Sequence, residues 1–241
     1  MTGAANPALL VAQATRALAV AGLFDMNGHI SVRHDDPVHG DVLYVNGRQA
    51  SRIAVRPEEV ATVRVADGVT LAGEPPSETP LHVAAYRARA DVRSVAHFHP
   101  LFATAFAVAD RPLVVAFNAG AIFGGTVPVF DDPDLIRGEP AARAMAEVLG
   151  EHRAVLLRGH GVVVVGEDVP SCVAASLYLE ESARRLATAL TLGKPRAFSE
   201  EEIARSRRSI WQEPVIAKTW IDALERARQA GVLADLEPSP D

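Results

Sequence analysis

The apolar run Val95-Ala96-His97-Phe98-His99-Pro100 holds two histidines two residues apart. In a β-strand, side chains at i and i+2 point to the same face, so His97 and His99 can address one ion together. Imidazole suits Zn, Mn, Fe, Co or Ni. Two hydrogen-bonded histidines on a partly buried strand fit the same residues, so further ligands must decide. His160 sits in Arg158-Gly159-His160-Gly161, where the flanking glycines expose its ring at a break between apolar segments and let it converge on the carboxyl ends of neighbouring strands; an ordinary turn histidine is the alternative. Glu78, within Pro76-Ser77-Glu78-Thr79-Pro80, places a carboxylate at a helix start, where it can complete a metal shell, move protons or signal a cap. Three imidazoles with an open position is a catalytic pattern, because structural zinc usually closes its tetrahedron with cysteines. This chain has a single cysteine, Cys172, and so no internal disulfide.

These groups need a scaffold, and the chain alternates two periodicities that supply one. Pro7 to Leu23 predicts a helix, with apolar residues at helical spacing, proline in the first turn and Gly22 at the end. Ile30 to Arg33, Val42 to Val45, Thr62 to Val65 and Val69 to Leu71 predict short antiparallel strands, with Asp67-Gly68 as a hairpin turn. Pro80 to Ala90 predicts a helix capped by Ser77, followed by a strand from Arg93 to His99 that Pro100 ends and a helix from about Leu101 to Ala109. Leu113 to Phe117 and Thr126 to Phe130 read as extended, Pro140 to Leu149 as helix, and Ala154 to Leu157 as a buried strand interrupted by Gly159-His160-Gly161 before Val162 to Val165. Ser171 to Leu192 is a long helix, and the tail from Ser199 adds two more helical patterns around Pro214. The expected fold class is α/β: a three-layer α/β/α sandwich around a mostly antiparallel sheet. We expect one domain over residues 1–241, with a helical C-terminal extension from about 195.

Composition narrows the function classes. The 241 residues carry a net charge of −6 and no long basic run, which argues against a nucleic-acid partner. The longest apolar runs fall short of the roughly 20 residues a membrane helix needs, and the first residues lack a secretory pattern. A cytoplasmic protein acting on a small molecule is the expectation.

The segments Pro75-Pro76-Ser77-Glu78-Thr79-Pro80-Leu81-His82, His97-Phe98-His99-Pro100 and Arg158-Gly159-His160-Gly161, in this order and spacing, resemble the class II, metal-dependent aldolase and adducin-like family from the first helix to about Leu192. The resemblance implies an α/β/α fold, with His97, His99 and His160 as metal ligands and Glu78 as fourth ligand or acid/base. It also implies a homotetramer with active sites at subunit interfaces. The ligand set is compatible with several first-row ions, with Zn2+ or Mn2+ expected.

Several positions depart from the sugar-phosphate aldolases. Their usual Gly-Asn-Ile-Ser becomes Gly28-His29-Ile30-Ser31, a second phosphate-binding element gives way to Tyr44-Val45-Asn46-Gly47-Arg48, and the paired serines before the glutamate become Pro76-Ser77. Fewer hydroxyls remain to hold a phosphate dianion. The last tyrosine is Tyr178, so the C-terminal phenol that such aldolases use as a proton donor is missing. The Gly-His-Ile-Ser variant resembles the family's decarboxylases of hydroxylated aromatic carboxylates. That likeness predicts a carboxy-lyase acting on an ortho-hydroxy aromatic or heteroaromatic acid, with Glu78 or His29 as the proton donor. His29, Ser31, Arg48 and Ser77 are candidate substrate-binding residues. Aldol cleavage or epimerisation of a small hydroxy-carbonyl compound is the alternative, and a non-catalytic adducin-like module the third.

Overall fold

Short Val/Ile/Leu runs bounded by turn residues become central strands when both of their faces are covered. The computed structural model, which describes residues 6–236, shows this in its layers. In chain order the elements are α1 (Pro7–Val20), β1 (His29–Asp36), β2 (Gly40–Asn46), β3 (Val60–Arg64), β4 (Thr70–Ala72), α2 (Thr79–Ala88), β5 (Ser94–Phe98) and α3 (Leu101–Val108). They continue with β6 (Val129–Phe130), α4 (Glu139–Leu149), β7 (Ala154–Leu157), β8 (Val162–Gly166), α5 (Val169–Leu192), α6 (Glu200–Ile210) and α7 (Glu213–Gln229). The strands form one eight-stranded sheet in the order β4-β3-β2-β1-β5-β8-β7-β6. All neighbours are antiparallel except β6 and β7.

Alternation along the central strands divides the core in two. Ala96 and Phe98 of β5 and Val162 and Val164 of β8 face a cluster with Leu18, Ala103, Val173, Leu179 and Ala227, drawn from α1, α3, α5 and α7. Val95, Val163 and Val165 face the other cluster, with Leu81, Ala85, Met145 and Leu149 of α2 and α4. The result is the expected three-layer α/β/α arrangement.

Local chemistry sets the element ends. Asn6 caps α1 by accepting from Ala8 N at 3.0 Å, and Pro7 fits the first turn. The α5 helix starts at Val169, ahead of the expected Ser171, because Asp168 and Ser171 form a capping box and Pro170 is tolerated in a first turn. Leu113 to Phe117 forms no strand: Val114 makes only an isolated bridge to Thr126, and a 3-10 turn follows over Asn118–Phe123. Of the Thr126 to Phe130 stretch, only Val129–Phe130 joins the sheet. The break at Gly159-His160-Gly161 is a hairpin turn between β7 and β8. It reverses the chain where an interrupted single strand was expected.

Arg16, on α1 and 2% exposed, anchors the segment 47–56 that borders the site described below. Its guanidinium donates to Val55 O at 2.9 Å, Ala54 O at 3.0 Å and Val232 O at 2.5 Å, and pairs with Asp235. Removing it leaves three carbonyls short of a donor. Arg16→Ala is therefore expected to cost about 2–4 kcal/mol in a denaturant titration. Asp235→Asn, which alters only the exposed end of the pair, should cost less than about 1 kcal/mol. Equal losses in the two variants would contradict the carbonyl anchoring.

Candidate metal centre and substrate cavity

Four elements bring the predicted chemistry to one end of the sheet. His29 opens β1 directly opposite His97 on β5, with ring centroids 5.0 Å apart. His99 follows the last residue of β5, its ring centroid 5.0 Å from that of His97. His160 projects from the β7–β8 hairpin turn, 4.9 Å from His97 and 5.3 Å from His99 between centroids. Two glycines make this approach possible. Gly159 adopts φ 68°, a left-handed conformation that glycine tolerates. A Cβ on Gly161 would lie 2.5 Å from Phe98 O and 2.8 Å from His99 Cδ2, so the turn can lie against the two histidines only without one.

Glu78 arrives from the other layer. It is itself the N-cap residue of α2, the place expected for Ser77, yet its side chain makes no cap hydrogen bond. The carboxylate turns toward the histidines, with Oε2 3.6 Å from His97 Nε2 and Oε1 3.6 Å from His160 Nε2. Ile136 N donates to Oε1 at 2.9 Å and holds it there.

The donor atoms fit a cation. His97 is fully buried, and its Nδ1 donates to Val162 O at 2.9 Å, which leaves the Nε2 lone pair facing the cluster. His99 Nδ1 donates to Asp25 Oδ2 at 3.1 Å and likewise frees Nε2. Among the described residues His97 Nε2 and both ring nitrogens of His160 are buried without a hydrogen-bond partner, a costly state that a bound metal relieves at His97 Nε2 and at one nitrogen of His160. One nitrogen from each of His97, His99 and His160 lies within 4.8 Å of the others, as does one ligand atom from each of His29, Glu78 and His97. Burial pushes His97 down to about 3, against the pull of the Glu78 carboxylate. Burial raises Glu78, but the adjacent His160 and His97 outweigh it and bring the carboxyl down to about 2. A neutral His97 imidazole beside an ionised Glu78 carboxylate is in the state that metal binding requires.

Beside this cluster lies a cavity of about 390 Å³, bordered by His29, Ser77, Glu78, Arg48, Arg52 and Arg137. Arg52 is buried and tied to Gly28 O at 2.5 Å and Gly47 O at 3.2 Å, so it builds the wall. The Arg48 and Arg137 side chains are exposed and have no hydrogen-bond or ion-pair partner among the described residues. Ser31 departs from its expected substrate-binding role. It is fully buried beneath His29, and its hydroxyl meets His82 Nδ1 at 2.7 Å and the Tyr86 hydroxyl at 2.8 Å. Its position, two residues along β1 from His29, puts it on the same face but deeper under α2.

Asp25, His82 and Arg137 join the site without a role expected from the sequence. Asp25 orients His99, and its carboxylate also accepts from Asn27 N at 2.8 Å and Gly28 N at 3.1 Å. His82 holds His29, with Nε2 2.7 Å from His29 Nδ1. The available signal was spacing: His82 lies four residues after Glu78 on α2 and therefore on the same helix face.

Comparison with known proteins agrees with this geometry. Residues 10–187 match the model of the class II aldolase and adducin N-terminal domain. The chain is 34% identical over 203 residues to a 3,4-dihydroxyphthalate decarboxylase of Rhodococcus jostii, covering 77% of this chain and 81% of that one. It is 27% identical over 160 residues to an L-fuculose phosphate aldolase of Methanocaldococcus jannaschii, covering 65% and 82%. The solved structure of an aldolase II superfamily protein from Pseudomonas syringae superposes with a TM-score of 0.80 at 20% identity, over 94% of this chain and 93% of that one. The chain belongs to the class II aldolase and adducin family, whose enzymes depend on a divalent metal and act on small molecules.

Proposed function

We propose that this protein is a divalent-metal-dependent carbon–carbon lyase that decarboxylates an ortho-hydroxy aromatic or heteroaromatic acid. The observation that carries this reading is His29: it stands in register with His97, at the border between the imidazole–carboxylate cluster and a cavity flanked by two unpartnered guanidinium groups. A dihydroxyphthalate decarboxylase at 34% identity supports the same reading. The cavity size falls in the usual small-ligand range of roughly 300–1,000 Å³.

His97, His99 and His160, with Glu78, would hold the metal, Zn2+ or Mn2+. When bound, it withdraws the negative charge that develops on the substrate's oxygens as the carbon–carbon bond breaks. The chain's own residues do the rest. Arg48 and Arg137 bind the substrate's carboxylate with guanidinium forks, and Ser77 adds a hydroxyl at the cavity edge. Glu78, held as a carboxylate, takes the substrate's phenolic proton and delivers it to the ring carbon that bears the scissile carboxylate. Loss of carbon dioxide then returns the bonding electron pair to the ring. His29 faces that carbon or the carboxylate as a hydrogen-bond donor, and the wall around Arg52 keeps water from the developing charge. We further propose a cytoplasmic homotetramer with the cavity at a subunit interface. Exposed Met26 and Leu135, on segments bordering the cavity, and the buried single Cys172 support that placement.

The purified protein should release carbon dioxide from 3,4-dihydroxyphthalate, lose that activity to a chelator and regain it with Zn2+ or Mn2+. Cleavage of a ketose 1-phosphate with no carbon dioxide from any ortho-hydroxy aryl acid would establish the aldolase alternative instead.

The ligand assignment has its own check in elemental analysis. His97→Ala and His99→Ala should each lose bound metal and activity together, and full occupancy in both variants would sink the assignment. Glu78→Gln should retain most metal while turnover falls by roughly two orders of magnitude or more. His29→Asn should keep its metal and react more weakly with aryl acids; unchanged kinetics would remove His29 from the site.

A further inference from the structure

Behind His29 runs a chain of buried polar side chains that the proposed chemistry leaves unused. His29 Nδ1 lies 2.7 Å from His82 Nε2, His82 Nδ1 2.7 Å from Ser31 Oγ, and Ser31 Oγ 2.8 Å from the Tyr86 hydroxyl. None of the four residues is more than 2% exposed. The fold aligns them by its two periodicities: His29 and Ser31 sit at i and i+2 on β1, and His82 and Tyr86 at i and i+4 on α2.

The single proton of a neutral His82 sets the direction, since it lies on either Nδ1 or Nε2. If it lies on Nδ1, His29 donates to His82 and His82 to Ser31, and the Ser31 and Tyr86 hydroxyls have only their one mutual contact left. One of those two hydroxyl hydrogens then lacks an acceptor, because neither hydroxyl has another partner among the described residues. If it lies on Nε2, Tyr86 donates to Ser31, Ser31 to His82 and His82 to His29, so all three contacts are filled, the tyrosine oxygen keeps spare lone pairs and the His29 proton faces the cavity. A buried unmet donor costs more than a spare lone pair on a carbonyl or hydroxyl oxygen.

We propose that the chain runs toward the site: Tyr86 donates to Ser31, Ser31 to His82 Nδ1, and His82 Nε2–H to His29 Nδ1. His29 therefore carries its own proton on Nε2 and presents it to the cavity as a donor. A protonated nitrogen has no lone pair for a metal. On this arrangement the fourth imidazole beside His97 is withheld from the metal, although its distance from His97 and Glu78 would admit it. The inference rests on His29 facing the substrate, as proposed above. His82, Ser31 and Tyr86 are positioning residues that act through it.

The test reads the tautomer directly and needs no substrate. In the full-length, zinc-loaded protein with 15N-labelled histidine, long-range 15N–1H correlation spectra report which ring nitrogen of each histidine bears the proton, and His29→Asn identifies the His29 signals. The wild type should show His29 protonated at Nε2 and bare at Nδ1. Ser31→Ala, which cuts the chain with little change in volume, should populate both tautomers of His29 at unchanged zinc content. On a substrate that turns over, it should lower kcat roughly tenfold with KM unchanged. Ser31→Thr, which keeps the hydroxyl, should restore the wild-type pattern. A wild-type proton on Nδ1, or an unaltered tautomer in Ser31→Ala, overturns the proposal whatever the enzyme's substrate proves to be.

Discussion

A fully buried imidazole nitrogen without a protein partner is the constraint on which the rest of this molecule depends. His97 is fixed by the sheet on both sides, paired with His29 on β1 and Val163 on β8, and its Nδ1 is committed to Val162 O. Only Nε2 remains, and like both ring nitrogens of His160 it is buried without a hydrogen-bond partner among the described residues. A protein that buries such atoms loses on the order of 1–3 kcal/mol for each unless something binds them. Here the surrounding elements converge to build a candidate cation site around them. The hairpin turn brings His160, the end of β5 brings His99, and the cap position of α2 brings a carboxylate that is turned away from its own helix.

That geometry explains why one scaffold serves both aldol cleavage and decarboxylation. Both reactions break a carbon–carbon bond and leave electrons that a metal can draw toward oxygen. What differs is the group that leaves and how the remainder is held. On the proposed reading, the residues bordering the cavity suit a planar acid: guanidinium groups at Arg48 and Arg137, an imidazole at His29, and few hydroxyls for phosphate. The fold supplies the position of the chemistry, and the wall of the cavity selects the substrate.

Much of this was legible in the sequence because it depends on short-range rules. The i, i+2 spacing of His97 and His99, the glycines beside His160 and the proline-flanked Glu78 each mark a local geometry. The turn and cap residues located nearly every element of the sheet to within a few residues. What was hidden depends on contacts between distant segments. Ser31 looked available because it follows His29 in a strand, and only the packing of α2 over β1 places it under His82 and Tyr86. His82 itself reads as an ordinary residue of an apolar helix face. Arg137 lies in a loop with no motif, and it reaches the cavity because Ile136 N is drawn to Glu78. The Leu113 to Phe117 stretch has strand-like composition but no neighbouring edge to pair with beyond Val114.

Anomalous diffraction from crystals of the metal-loaded protein, recorded at the absorption edge of the bound ion, gives the most direct measurement of what this arrangement is for. The peak should lie about 2.0–2.2 Å from one nitrogen each of His97, His99 and His160, with His29 outside bonding distance. An ion that bypasses His160, or that takes His29 as a ligand, would contradict the cluster's assigned role.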